Sequence, residues 1–124
     1  MGKKVLLVED EKDLSKTIAF RLEANGYTVI TSYDGQDGFE KAKREKPNLI
    51  ILDLMLPKMD GTTVLNKLRH DPWGTGVPVI VLTNLSDAED SLVRSHEGPL
   101  DYIVKANLKI EDLVKKVKDE LGVI

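Results

Sequence analysis

Polar side chains that can bind a cation or transfer a group follow four short apolar runs of this sequence. Glu9 and Asp10 follow the first run, Asp53 the second, Thr83 the third and Lys105 the fourth. Three carboxylates close together repel one another unless a cation joins them, and Mg²⁺ prefers such oxygen ligands. A carboxylate can also attack phosphorus, and the phosphoryl oxygens then need positive charge beside them. These residue types predict a Mg²⁺ site at which an aspartate accepts a phosphoryl group.

The elements that must position these side chains alternate along the whole chain. Short apolar or β-branched runs predict five strands, at residues 5–8, 28–32, 49–52, 79–82 and 102–104. Four-residue periodicity, glycines and prolines predict helices at residues 13–25, 36–46, from about 61 to Pro72, 87 to about 97, and a last one through 110–121. The dipeptide Asp34-Gly35 predicts a turn before the second helix.

Strands that are separated by helices imply a parallel sheet, because a tight hairpin cannot join two parallel neighbours. The predicted fold class is therefore α/β, with a doubly wound five-stranded parallel sheet and five helices. All strands of such a sheet point the same way, and ligands bind beyond their carboxyl ends. We therefore expect the three carboxylates, the Thr83 hydroxyl and the Lys105 amine to converge at one edge.

Length, charge and cysteine content limit the class of protein. The chain has 124 residues, which predicts one domain over residues 1–124. Its net charge of -3 provides no basic field for direct nucleic-acid binding. The absence of cysteine excludes disulfides and thiolate metal sites. The apolar run near the N-terminus is too short for a signal peptide or a membrane span, so we expect a cytoplasmic protein without membrane contact.

The segment around Asp53 carries a specific signature. Residues 52–61 read LDLMLPKMDG, and they accompany Glu9-Asp10 after the first strand, Thr83 after the fourth and Lys105 after the fifth. With these residues the sequence resembles, over essentially its whole length, the receiver domain of two-component response regulators, the family that includes CheY. The resemblance implies a flavodoxin-like sheet with strand order 2-1-3-4-5.

The resemblance also implies a set of site roles. Asp53 would take a phosphoryl group from the phosphohistidine of a histidine kinase or a histidine phosphotransfer protein, with Lys105 and Thr83 near the phosphoryl oxygens. The implied Mg²⁺ ligands are Asp10, Asp53, the backbone carbonyl of Met55 and, at or near the metal through water, Glu9.

A switch is implied as well. Thr83 would move toward the phosphoryl group and Tyr102 would turn inward, which would alter the surface formed by the fourth helix, the fifth strand and the last helix. A downstream protein would bind that surface, and the chain would be a monomer or a phosphorylation-dependent dimer. It would not turn over an external substrate.

The sequence departs from the family pattern at two positions. Ala106 follows Lys105 where the family commonly has a proline in a cis peptide, so the peptide geometry there stays open. Pro99 stiffens the connection before the fifth strand, where the family usually has a Gly-Ala pair.

Three other functions agree less well with the sequence. A phosphatase of the haloacid dehalogenase type needs a second acid two residues after the nucleophile, where this chain has Met55. A flavin or nucleotide module needs a phosphate-binding loop, but the loop after the first strand is acidic. A scaffold that only binds partners would not need the intact set of Asp10, Asp53, Thr83 and Lys105. His70 and His96 adjoin no strand end, and we interpret them as surface residues.

Overall fold

The computed structural model describes residues 2–84, 91 and 98–122. The strands are β1 (Lys4–Val8), β2 (Thr28–Ser32), β3 (Leu49–Asp53), β4 (Val79–Thr83) and β5 (Leu100–Val104). The α-helices among these residues are α1 (Lys12–Ala24), α2 (Gly35–Glu45), α3 (Gly61–His70) and α4 (Ile110–Leu121), with short 3-10 turns at Gly74–Gly76 and Lys105–Asn107. The helix predicted at 87–97 lies outside the described residues, apart from residue 91.

The five strands form one parallel sheet in the order β2-β1-β3-β4-β5. This arrangement confirms the predicted doubly wound α/β class and its 2-1-3-4-5 strand order. The central strands β1, β3 and β4 are the continuous apolar runs, and they are buried on both faces. Continuous runs are typical of such strands because helices cover both sides of the sheet.

Alternate residues of the central strands point into two separate apolar cores. Val5 and Leu7 of β1 pack with residues of α1 and α4, whereas Leu6 and Val8 pack with residues of α2 and α3. The period of two in a strand explains why one apolar run serves both cores. The two cores fix the orientation of β1, and with it the direction in which the chain leaves the sheet after Val8.

The start of α2 differs from the prediction. Asp34 and Gly35 do not form a separate turn, since α2 begins at Gly35 and the Asp34 side chain accepts the Asp37 N–H at 2.7 Å as an N-terminal cap. Asp followed by Gly is typical of turns, but an aspartate is equally a preferred cap, and here the cap wins. At the other end, Lys46 adopts a left-handed conformation (φ 47°) and stops the helix before Pro47.

Among the described residues, no helix combines the length and the apolar composition that crossing a bilayer requires.

Candidate functional site

The carboxyl edge of the sheet brings three acidic side chains together. β3 ends at Asp53, which is 1% exposed, and β1 runs directly into the fully buried Glu9 and the exposed Asp10. β1 and β3 are neighbours with Val8 opposite Leu52, so the two strands end at the same level of the sheet. One carboxylate oxygen from each of the three residues lies within 4.8 Å of the others.

Lys105 reaches this cluster from the 3-10 turn after β5. Its Nζ lies 2.6 Å from Asp53 Oδ2, 3.1 Å from Glu9 Oε1 and 3.3 Å from an oxygen of Glu11. The described residues contain no cis peptide bond, so the Lys105-Ala106 link is trans. The Lys105 ammonium thus contacts three carboxylates in a chain that has Ala106 where the family commonly has a proline.

The environment shifts the pKa values of two of these groups. Burial raises the pKa of Glu9 to about 7; the charge of Asp53 adds to this effect, and a hydrogen bond from the Glu11 N–H opposes it. Burial lowers the pKa of Lys105, but the hydrogen bonds to Asp53 and Glu9 more than offset this, and its pKa lies above the usual value. Lys105 is therefore a permanent cation, whereas Glu9 ionises near neutral pH.

The donor set of the cluster fits a hard divalent cation. All candidate ligand atoms are carboxylate oxygens, and the buried Glu9 Oε1 pairs with Lys105 Nζ at 3.1 Å but accepts no hydrogen bond. Asp10 is exposed, so the cluster is open to solvent on its side and has room for the water ligands that Mg²⁺ usually retains. Glu9, Asp10 and Asp53 could together hold Mg²⁺.

The loop after β3 holds Met55 beside the nucleophile candidate. The Met55 N–H donates to Asp53 Oδ1 at 3.0 Å, and the preceding Leu54 N–H donates to the Leu82 carbonyl at 3.1 Å. The Met55 side chain is 65% exposed, so it is the backbone of this residue, not its side chain, that contacts the site.

Thr83 lies at the same edge of the sheet, but Tyr102 does not join the cluster. Thr83 is the last residue of β4, is 1% exposed, and follows Leu82, which is opposite Asp53 in the register. Tyr102 lies within the edge strand β5 and is 40% exposed. It lines a groove of about 390 Å³ between β5 and α4.

Glu11 is a site residue that was not predicted from the sequence. Its carboxylate lies 3.3 Å from Lys105 Nζ, and its N–H donates to Glu9 Oε2 at 2.9 Å. The signal was present, since Glu11 extends the acidic run after β1, but no strand ends at it. His70 is exposed and its ring Nδ1 lies 2.8 Å from the Asn66 carbonyl oxygen, in agreement with a surface role, whereas His96 lies outside the described residues.

Comparison with known proteins gives one consistent family. The model of the response regulator receiver domain matches residues 5–118. The response regulator ArlR of Staphylococcus aureus is 40% identical over 114 residues, which cover 92% of this chain and 50% of that protein. The chain spans about half the length of the curated relatives it matches.

Solved structures agree with this result. The receiver domain of the sensor histidine kinase PA1611 from Pseudomonas aeruginosa, with a magnesium ion coordinated in its active site cleft, superposes with a TM-score of 0.86 at 28% identity and covers 98% of this chain and 99% of its own. The chemotaxis protein CheY4 of Vibrio cholerae gives a TM-score of 0.85 at 25% identity, with 97% and 99% covered.

Proposed function

Because the chain belongs to the family of response regulator receiver domains, we propose that Asp53 accepts a phosphoryl group and thereby switches the protein between two signalling states. The observation that carries this proposal is the contact of Asp53 with Lys105, at 2.6 Å, beside the acidic pair Glu9-Asp10. A nucleophilic carboxylate, a permanent cation and a cation-binding acidic pair are the groups that transfer to an aspartate needs.

The transfer is a displacement at phosphorus. One carboxylate oxygen of Asp53 forms a bond to the phosphorus while the bond to the donor breaks. With a phosphohistidine donor, the electron pair of the phosphorus–nitrogen bond returns to the imidazole. Lys105 is positioned to stabilise the negative charge on the phosphoryl oxygens, and the hydroxyl of Thr83 can donate a hydrogen bond to one of them.

The residues that would hold Mg²⁺ are Asp10, Asp53 and the Met55 carbonyl, with Glu9 at or near the metal through water. The chemistry supplied by the ion would be neutralisation of charge between the carboxylates and the incoming phosphoryl oxygens. The magnesium in the cleft of the PA1611 receiver domain and the oxygen-only donor set of this chain support the assignment.

The proposed readout of phosphorylation is the face of β5 and α4, which the family resemblance extends to the helix predicted at 87–97. Thr83 would move toward the phosphoryl group, and the half-exposed Tyr102 would turn inward. The proposed partners are a histidine kinase or a phosphotransfer protein as donor and a downstream protein at this face. Residues 1–124 would act as one cytoplasmic receiver domain that turns over no external substrate.

Intact mass measurement tests the central claim. The chain is incubated with acetyl phosphate with and without Mg²⁺, beside Asp53→Asn. We expect a hydrolysable gain of one phosphoryl group that requires both Mg²⁺ and Asp53. A wild-type chain that gains no phosphoryl group under these conditions would instead be a receiver-like scaffold, and an adduct on Asp53→Asn would place the acceptor elsewhere.

A further inference from the structure

The first residue of α2, Gly35, touches the loop after β3 through its backbone. The Gly35 N–H donates to the Pro57 carbonyl at 3.2 Å. A Cβ atom on Gly35 would lie 1.6 Å from the Met59 carbonyl oxygen and 2.6 Å from the Met59 carbonyl carbon. Gly35 is not in the left-handed region, so the reason for glycine here is the close approach of two main chains.

The start of α2, to which Gly35 belongs, is held by several side chains. Asp34 caps α2 through the Asp37 N–H, and the Asp37 carboxylate accepts the Ser32 hydroxyl, both at 2.7 Å. Lys41 donates to the Thr31 carbonyl at 2.7 Å and pairs with Asp37 at 3.1 Å. These bonds link the first turn of α2 to the end of β2. They fix the position of the Gly35 backbone relative to the sheet.

The loop that Gly35 contacts, residues 54–60, is held by backbone hydrogen bonds within and at its ends. The Met59 N–H donates to the Pro57 carbonyl at 2.8 Å, and Lys58 between them adopts a left-handed conformation (φ 68°). At the end of the loop the Gly61 N–H donates to the Leu54 carbonyl at 2.9 Å. Because this bond joins the two ends of the loop, we expect a shift of the segment 57–59 to displace Leu54 and Met55 as well.

We propose that Gly35 is a positioning residue for the divalent-cation site, because its contact with Pro57 and Met59 sets where the loop presents the Met55 carbonyl. The inference rests on the proposed Mg²⁺ site. A methyl group at residue 35 would meet backbone and not the end of a flexible side chain, so the loop must move away to admit it. A residue that orients a metal ligand can change the affinity of the site for the metal, although the residue itself does not contact the metal.

The test is a titration with Mg²⁺ alone, followed by amide chemical shifts, on wild type and three glycine variants. Gly35→Ala is expected to raise the dissociation constant by roughly tenfold, the lower end of the effect of losing support behind a metal ligand. Gly74→Ala is the destabilised control, since its Cβ would lie 2.3 Å from the Leu68 carbonyl oxygen at the opposite end of α3. Gly76→Ala is the neutral control, because its Cβ would meet nothing within 4 Å. Both controls should bind Mg²⁺ as wild type does.

A second pair of variants decides the matter if Gly35→Ala does not fold. Lys58 is an exposed loop residue with positive φ, so Lys58→Val strains the loop locally, whereas Lys58→Gly removes the same charge without strain. Weaker Mg²⁺ binding in Lys58→Val than in Lys58→Gly supports the inference.

Four results would overturn the inference, and they separate its failure from that of the proposed function. Gly35→Ala that binds as wild type, or Gly74→Ala that is weakened equally at equal loss of thermal stability, removes the role of Gly35. Equal affinities in the two Lys58 variants remove the role of the loop. A wild-type chain that binds no Mg²⁺ defeats the proposed metal site itself, and the inference with it.

Discussion

Lys105 Nζ lies 2.6 Å from Asp53 Oδ2, so the lysine neutralises the carboxylate on which the proposed chemistry depends. A lysine in this position has two opposite effects. It competes with a divalent cation for the charge of Asp53 and Glu9, and it prepares positive charge for a phosphoryl group. Removal of the lysine should therefore separate cation binding from phosphorylation.

Lys105→Ala is expected to tighten Mg²⁺ binding by roughly fivefold, because the carboxylates lose their internal cation. The same variant should accept a phosphoryl group from acetyl phosphate roughly 100-fold more slowly, because the charge on the phosphoryl oxygens loses a partner. Mg²⁺ titration and the rate of adduct formation by mass measure the two effects. Lys116→Ala is the matched control, since Lys116 pairs with Asp101 at 2.8 Å outside the cluster. Weaker Mg²⁺ binding in Lys105→Ala would contradict the claim that Lys105 competes with Mg²⁺ for the carboxylates.

Glu9 predicts how the stability of the metal-free protein depends on pH. Its pKa is about 7 in the folded protein, against 4.5 for a free glutamate side chain, so folding favours the protonated acid. Its contribution to stability is complete below pH 4.5 and is lost as pH rises through 7. Between pH 5 and pH 8 the free energy of unfolding should fall by about 2 kcal/mol through this residue.

Urea unfolding in the presence of a chelator measures this loss, with Glu9→Gln as control. The amide cannot ionise, so the variant should lack this part of the pH dependence. Mg²⁺ affinity of the wild type should rise over the same pH range, because the ionised carboxylate is the form that attracts the cation. An equal pH slope in both proteins would assign the dependence to other groups.

The sequence predicted the central strands well because their signal is local. β1, β3 and β4 deviate from the predicted bounds by one residue, since continuous apolar runs are needed wherever a strand is covered on both faces. The edge strand β5 was predicted at 102–104 but begins at Leu100. Asp101 interrupts its apolar pattern and pairs with Lys116 of α4, a contact that only the folded chain creates.

In the site, too, some features could be predicted from the sequence and others could not. Its carboxylates and Lys105 were predictable because parallel strands bring their carboxyl ends to one edge. The contacts of Glu11 with Lys105 and of Gly35 with Met59 were not, because each joins segments that are distant in sequence and neither belongs to a strand pairing. Sequence patterns therefore indicate which groups meet, but not which residues hold them in place.

Tyr102 offers a direct observation of the proposed switch. Its side chain is 40% exposed, against 4% for the buried Tyr27 and 37% for Tyr33. The fluorine resonance of 3-fluorotyrosine at residue 102 should become less accessible to a soluble paramagnetic probe once Asp53 is phosphorylated, because the ring turns inward. The other two tyrosines are internal controls and should not change. An unchanged accessibility at residue 102 under conditions that give full adduct formation would refute the inward turn.

Arg69 ties together the opposite edge of the sheet. Its Nη1 donates to the carbonyls of Gly74 and Val77 at 2.9 and 2.7 Å, and its Nη2 donates to the Pro99 carbonyl at 2.9 Å. These carbonyls precede β4 and β5, so one planar guanidinium fixes the start of both strands. A lysine has a single nitrogen and cannot reach both loops with the same geometry.

Arg69→Lys is therefore expected to lower the free energy of unfolding by about 2 kcal/mol, since it leaves partly buried carbonyls without donors. Arg44→Lys, at an exposed position of α2, should change it by less than about 0.5 kcal/mol. Denaturant unfolding measures both. Because Arg69 lies at the amino ends of the strands, the Mg²⁺ affinity of Arg69→Lys should stay within about twofold of wild type, as distant sites are usually additive. A large loss of Mg²⁺ binding with little loss of stability would mean that Arg69 acts on the carboxyl edge through the sheet.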